Sequence, residues 1–229
     1  MVTATAHTKY PHTISWPSMS HVNGKETNVL KPASNNKKLG NGVWQKGPFK
    51  GMPLYSLTLE ERATCETSCP VWDKCYGSSM PFASRFDVSL DAGKSLMGVL
   101  GNELDILDNK HPRYSVRLHI LGDFFSHRYV AFWQHALRTH PGLHIYGYTH
   151  RTGAIGVAID RVFIKFPGRF NILQSDPIQE TVRPVALMEF TPGADLLIKC
   201  PEQTGKTESC LTCGLCTSPA FRGVTFIEH

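Results

Sequence analysis

The sequence predicts an α/β fold in which a parallel sheet is covered by helices on at least one face. Short apolar runs alternate with segments of helical period, which is the pattern of βα units. Glycine and polar residues recur just past those runs, at Gly122-Asp123, Thr149-His150-Arg151 and Gln174-Ser175-Asp176. In parallel α/β folds that edge of the sheet is where ligands sit. All seven cysteines fall in two knots, Cys65, Cys69 and Cys75, then Cys200, Cys210, Cys213 and Cys216, with a cysteine-free body between them.

At 229 residues the chain is expected to form one domain, a single α/β unit over 51–229 preceded by a basic extended arm over 1–50. The arm carries seven lysines (Lys9, Lys25, Lys31, Lys37, Lys38, Lys46, Lys50) against one acid, Glu26. A weak, salt-sensitive contact with nucleic acid would come from there; a solvated arm that aids solubility is the plainer reading. Trp16, Val43, Trp44 and Phe49 are its expected anchors on the domain, with the first dozen residues loose.

Leu54–Leu59 reads as the first strand of the unit. Apolar spacing through Leu96, Val99, Leu100, Leu104 and Leu107 predicts a helix from Phe82 to Leu107, stopped before Pro112. Ser115–Leu121 reads as a strand, and Ser126 caps a helix through Arg138 with Val130, Phe132, Trp133 and Leu137 inward. Leu143–Thr149 is the next strand, followed by a short helix from Gly153 to about Asp160 and a small strand at Val162–Lys165. Strands are expected at Phe170–Gln174, Val185–Phe190, Leu196–Lys199 and Gly223–Ile227.

Hydrophobic residues make up 41% and charged residues 19%, with no apolar run of membrane-spanning length and no signal-peptide core, so the cytoplasm is expected. Thiols stay reduced there, and an odd number of clustered cysteines favours metal over disulfides. Three thiolates at C-x3-C-x5-C suit a [4Fe–4S] cluster with one iron left open. A zinc site would borrow a fourth ligand from His119, His150 or a late cysteine. The late C-x2-C-x2-C triplet with Cys200 offers four ligands, for a closed second cluster or a zinc ribbon. In a third arrangement, one late cysteine completes the first cluster.

Cysteines after a first strand, then a strand ending in Gly-Asp-Phe that opens a helix, resemble the core of radical S-adenosylmethionine (radical SAM) enzymes. The resemblance implies a partial parallel (β/α) barrel with a cluster on Cys65, Cys69 and Cys75. It also implies a cofactor-binding turn at Gly122 and Asp123 and contacts from Thr149, Gln174 and Ser175. The last cysteine gap is longer than that family's, and the turn has Asp for Glu and one glycine fewer. A broader likeness, through CP…CYG, VRLHILGDFFSHRYVAFW, YGYTHR and the C-terminal CP-x-Q…C-x2-C-G-x-C, is to the phage family gene product eighty-eight, over roughly 50–229. It implies a phage or prophage origin, hence the host cytoplasm, and no activity. A substrate or host partner is expected without being identifiable.

His119 and His144 read as core residues, and His150 and Arg151 as pocket-lining ones. No phosphate loop, Ser-His-Asp pattern or carboxylate pair points to a hydrolase. The expectation is an iron–sulfur protein, with reductive cleavage of S-adenosylmethionine as its enzymatic form. A non-catalytic redox or docking protein and a zinc-stapled nucleic-acid binder are the alternatives.

Overall fold

The computed structural model describes residues 29–80, 84–86, 88, 96–177, 181–218 and 220–228, with three short strands upstream: β1 (Ile14–Trp16), β2 (His21–Val22) and β3 (Lys25–Glu26). The first dozen residues, Lys9 and the side chain of Trp16 lie outside the described residues.

The later elements are β4 (Lys31–Pro32), β5 (Leu54–Ser56), α1 (Glu61–Thr64), β6 (Ser84–Phe86), α2 (Leu96–Lys110), β7 (Tyr114–Leu118), α3 (His127–Thr139), β8 (Leu143–Thr149), α4 (Gly153–Lys165), β9 (Phe170–Ser175), β10 (Val185–Met188), β11 (Ile198–Lys199), α5 (Cys210–Cys213) and β12 (Gly223–Phe226). One sheet of eight strands runs in the order β11-β12-β10-β9-β8-β7-β5-β4. All its pairings are parallel except β4 with β5. Within this sheet β5, β7, β8, β9 and β10 lie side by side in chain order, and the sheet is open.

Helices α2, α3 and α4 pack on one face. Leu100, Leu104, Trp133, Leu137, Ile159 and Val162 meet Val116, Leu118, Ile145 and Ile172 in the main core. Ser126 caps α3 as expected, its Oγ accepting from Tyr129 N–H at 3.1 Å.

Three segments depart from expectation. Helix α2 is described over Leu96–Lys110, residues 89–95 of the expected helix lying outside the described residues, and Ser84–Phe86, inside the expected helix, is a strand parallel to β1. Helix α4 runs to Lys165 and absorbs the strand expected at Val162–Lys165, because Ile159 and Val162 continue its buried stripe. The segment Ala33–Met52 covers the second face of the sheet, with Leu39, Trp44, Phe49 and Met52 buried beside Tyr146, Ile120 and Leu211. Trp44 Nε1 donates to Ser115 Oγ at 2.8 Å, whereas Val43 is exposed. Among the described residues no helix is long and apolar enough to cross a membrane.

Candidate functional site: two cysteine groups beside the parallel sheet

Strand β5 delivers the chain to Leu57–Leu59 and the single-turn helix α1, whose C-cap is Cys65. Glu60 caps that turn through its side chain, accepting from Arg62 N–H at 3.3 Å. The loop beyond holds Cys65, Cys69 and Cys75, all free and partly exposed. Two arginines hold the loop from either side. Arg85 donates from Nε to Glu61 Oε2 at 2.7 Å, and from its terminal nitrogens to Met80 O at 3.0 Å and Gly77 O at 2.8 Å. Arg151 donates to Glu66 Oε1 at 2.7 Å and also to Thr64 O. It therefore fastens the cysteine loop, where the sequence reading made it pocket-lining. Arg62 adds a cation–π contact, 4.3 Å above the Trp72 ring.

Gly122 lies at the turn after β7 with φ +88, and a Cβ there would come within 2.7 Å of both Leu59 Cβ and Thr64 Oγ1. Only glycine lets this turn close on the residues that lead into Cys65. Asp123 is buried, and its carboxylate is well supplied with donors. Oδ1 accepts from Phe124 N–H at 2.7 Å and Thr149 Oγ1 at 2.6 Å, and Oδ2 from His150 N–H at 2.9 Å. It joins the ends of β7 and β8, leaving acceptor capacity on Oδ2. Burial pushes its carboxyl up, against those hydrogen bonds.

Thr149 Oγ1 also accepts from Arg151 N–H at 3.0 Å, so its one proton is committed to Asp123 and one lone pair to Arg151. Gln174 is buried, with Oε1 accepting from Arg183 and Nε2 without a protein acceptor. Ser175 lines the cavity described next, and its carbonyl is 3.0 Å from His150 Nδ1. His119 is buried 3.0 Å from the Tyr129 hydroxyl, and burial lowers its pKa to about 3, so it stays a neutral core residue.

The second group rides on a segment that crosses the far face of the sheet. Helix α5 is one turn, closed by a reciprocal Ser209–Thr212 capping box. It ends at Gly214 (φ +73), where a Cβ would meet Lys46 O at 2.8 Å. Cys210 and Cys213 thus lie three residues apart on one turn, and Cys216 on the next, a 3-10 turn at Leu215–Thr217. Cys200 follows β11. All four line a cavity of about 650 Å³, whose other walls include Arg117, Tyr146, Tyr148, Met188 and Phe226. Val71, Lys74 and Tyr76 of the first cysteine loop line it too. Tyr148 OH donates to Cys216 Sγ at 3.2 Å.

The thiols within each group lie close enough to perturb one another. Burial pushes the Cys65 thiol well up, with Asp123, Cys69 and Cys75 adding to the effect. Burial also raises Cys69, Cys75 and Cys210, and takes Cys216 to about 12. As they stand these are protonated thiols, from which a bound metal would release protons. Among the described residues, no three His, Cys, Asp or Glu side chains converge as ready-made ligands of a single metal ion. The donor set itself, free thiols gathered from distant parts of the chain and unbridged, is the one that iron–sulfur or zinc chemistry uses.

Sequence reasoning missed Arg117, Tyr146 and Tyr148. Their signal was period two: Ser115 and Arg117 in β7, and His144, Tyr146 and Tyr148 in β8, alternate with the apolar residues that face the helices.

No curated protein and no solved structure matches the chain. A family match covers residues 27–159, more than half of the chain. It begins inside the segment expected to fall outside the resemblance, and ends before the second cysteine group. The buried Val29, Leu39, Trp44 and Phe49 fit that earlier start, since they belong to the same fold. By that match the chain belongs to the phage family described as Gene product 88.

Proposed function

We propose that the protein binds [4Fe–4S] clusters through its two cysteine groups, and that the first works with S-adenosylmethionine on a radical-SAM-like partial barrel. The observation that carries this reading is the gathering of seven free thiols, spread over residues 65–216, into two groups, one in the loop after β5 and one over the far face of the same parallel sheet. Three thiolates on one loop leave one iron of a cubane free for an outside ligand, whereas four close the cluster.

In this reading Cys65, Cys69 and Cys75 hold the first cluster, with Glu61–Arg85 and Glu66–Arg151 fixing their loop. Cys200, Cys210, Cys213 and Cys216 hold the second. When bound, the first cluster would supply one electron to the sulfonium of S-adenosylmethionine, giving methionine and a 5′-deoxyadenosyl radical. The chain's own part is to orient and enclose. Asp123 offers its remaining Oδ2 acceptor capacity to the cofactor's ammonium, with Gly122, Thr149, Gln174 and Ser175 around it.

One observation favours a second, non-catalytic reading: Asp123 already takes three donors from the chain, as a structural carboxylate would. Anaerobic purification with iron, sulfide and zinc analysis, then electron paramagnetic resonance (EPR) of the dithionite-reduced protein, separates the possibilities. A [4Fe–4S] signal that changes on adding S-adenosylmethionine supports the enzyme. Iron with an unresponsive signal supports a redox or docking protein. Zinc alone, after anaerobic reconstitution with iron and sulfide, overturns both.

A further inference from the structure

We infer that Arg117 is the built-in counter-charge of the second cysteine group and sets the reduction potential of the cluster that group holds. The inference rests on the iron–sulfur reading and adds to it a tuning residue and a direction.

Arg117 is the penultimate residue of β7 and pairs in register with Tyr146 of β8. Its guanidinium points into the cavity, 5.6 Å from the Tyr148 ring centroid and 6.0 Å from that of Tyr146. The other cations lining that cavity are already paired, Lys38 with Glu202 at 3.3 Å and Lys74 with Glu228 at 2.7 Å. Among the described residues no carboxylate lies within ion-pair distance of Arg117, and its Nε is buried without a hydrogen-bond acceptor. The side chain is partly enclosed, so the fold carries a charge that its own carboxylates do not balance.

The cavity wall opposite supplies the balance once the thiols are metallated. Cys200, Cys210, Cys213 and Cys216 share the cavity with Arg117, and Tyr148 connects the two sides, its ring beside the guanidinium and its hydroxyl on Cys216 Sγ. Four thiolates on a [4Fe–4S]²⁺ core leave two net negative charges, and reduction by one electron adds a third. A fixed cation in a low-dielectric cavity stabilises the more negative state more. Arg117 therefore raises the potential and favours retention of the cluster.

The test is a redox titration of the reconstituted protein and of Arg117→Gln and Arg117→Lys, with dithionite as the one-electron donor and EPR and visible absorption as readouts. Iron per chain and far-UV circular dichroism are measured in parallel. Arg117→Gln should shift the reduction equilibrium at least tenfold towards the oxidised form, about 59 mV lower for one electron. Arg117→Lys, which keeps the charge, should recover most of the shift. A folded, iron-replete Arg117→Gln protein with the wild-type potential overturns the inference. If Arg117→Gln does not fold, Arg117→Lys against Arg117→Met decides: equal potentials in those two variants also overturn it. Wild-type protein that takes up no iron refutes the underlying cluster reading, an outcome distinct from either.

Discussion

Breaking the Glu61–Arg85 pair should loosen the first cysteine loop before it disturbs the sheet. Both side chains are almost wholly enclosed, at 3% and 1% exposure, and they meet in a two-pronged contact with nitrogen–oxygen distances of 2.7 and 3.3 Å. Arg85→Met leaves the Glu61 carboxylate buried without its main partner. It also removes two donors from the carbonyls of Gly77 and Met80. Removing one member of such a pair costs about 3–5 kcal/mol. Replacing both with apolar side chains of similar volume is often neutral, so Glu61→Leu/Arg85→Met should recover most of the loss. Urea unfolding of the metal-free protein, followed by tryptophan fluorescence, measures the cycle. Iron uptake in a background lacking the four late cysteines reports on the loop, since Glu61 lies four residues before Cys65 and Gly77 two residues after Cys75. If Arg85→Met costs under about 1 kcal/mol, or the double variant is no better than Arg85→Met, the pair does not hold the loop as argued.

Gly122→Ala should destabilise by about 2–4 kcal/mol, adding the strain of a positive φ to a 2.7 Å clash with Leu59 and Thr64, and should impair metal uptake at the first group more than at the second; iron per chain in the two cysteine backgrounds distinguishes them. Acid should weaken the metal-free fold from about pH 6.5 downward. The unfolded His119 binds a proton there, whereas the folded one, with its pKa near 3, does not, so stability falls as pH falls through that window by about 1.4 kcal/mol per unit. His119→Gln should flatten that limb of a melting-temperature profile. Alkali should act similarly through the thiols. Their folded pKa values are raised, with Cys216 near 12, so stability is intact below about pH 8.5 and falls as unfolded thiols ionise above it. A melting temperature independent of pH from 8 to 10.5 in metal-free protein would contradict that.

The regular body was legible because local pattern and tertiary role agree there. Strand β8 has the bounds its sequence implies, and the start of α3 is fixed by a serine that can cap only one turn. The misreadings lie where a longer-range partner decides. Ser84–Phe86 sits in a helix-compatible stretch, yet it pairs with β1 and its Phe86 bridges Leu59, contacts that no local period reveals. Val43 was a plausible anchor by composition, but the strand-like alternation beside it turns Trp44 inward and Val43 out. At the site, cysteine spacing revealed the groups but not their setting. Cysteine spacing shows neither Arg85 nor Arg151, because one reaches the loop from strand β6 and the other from the turn after β8.

The two groups are held by different physics, with a consequence for assembly. The first is local: Cys65 to Cys75 span one loop, and its arginine fasteners are side chains that can engage once α1, β6 and the end of β8 are in place. The second is long-range. Cys210 N–H donates to Lys38 O at 3.0 Å, Leu211 N–H to Leu39 O at 3.2 Å, and Gln45 N–H to Leu211 O at 3.0 Å. Gly214 meanwhile packs against Lys46. These bonds join segments some 170 residues apart, so their closure entropy is met only when nearly the whole sheet is formed. The cavity with Arg117, Tyr148 and the four cysteines is thus a product of complete folding, whereas the first loop can present its thiols earlier. Metal captured there by a partly folded chain would meet three thiols, not seven. Because binding to the native state alone adds to its stability, loading the second group should protect the contact between 38–47 and 209–214 from hydrogen exchange far more than loading the first.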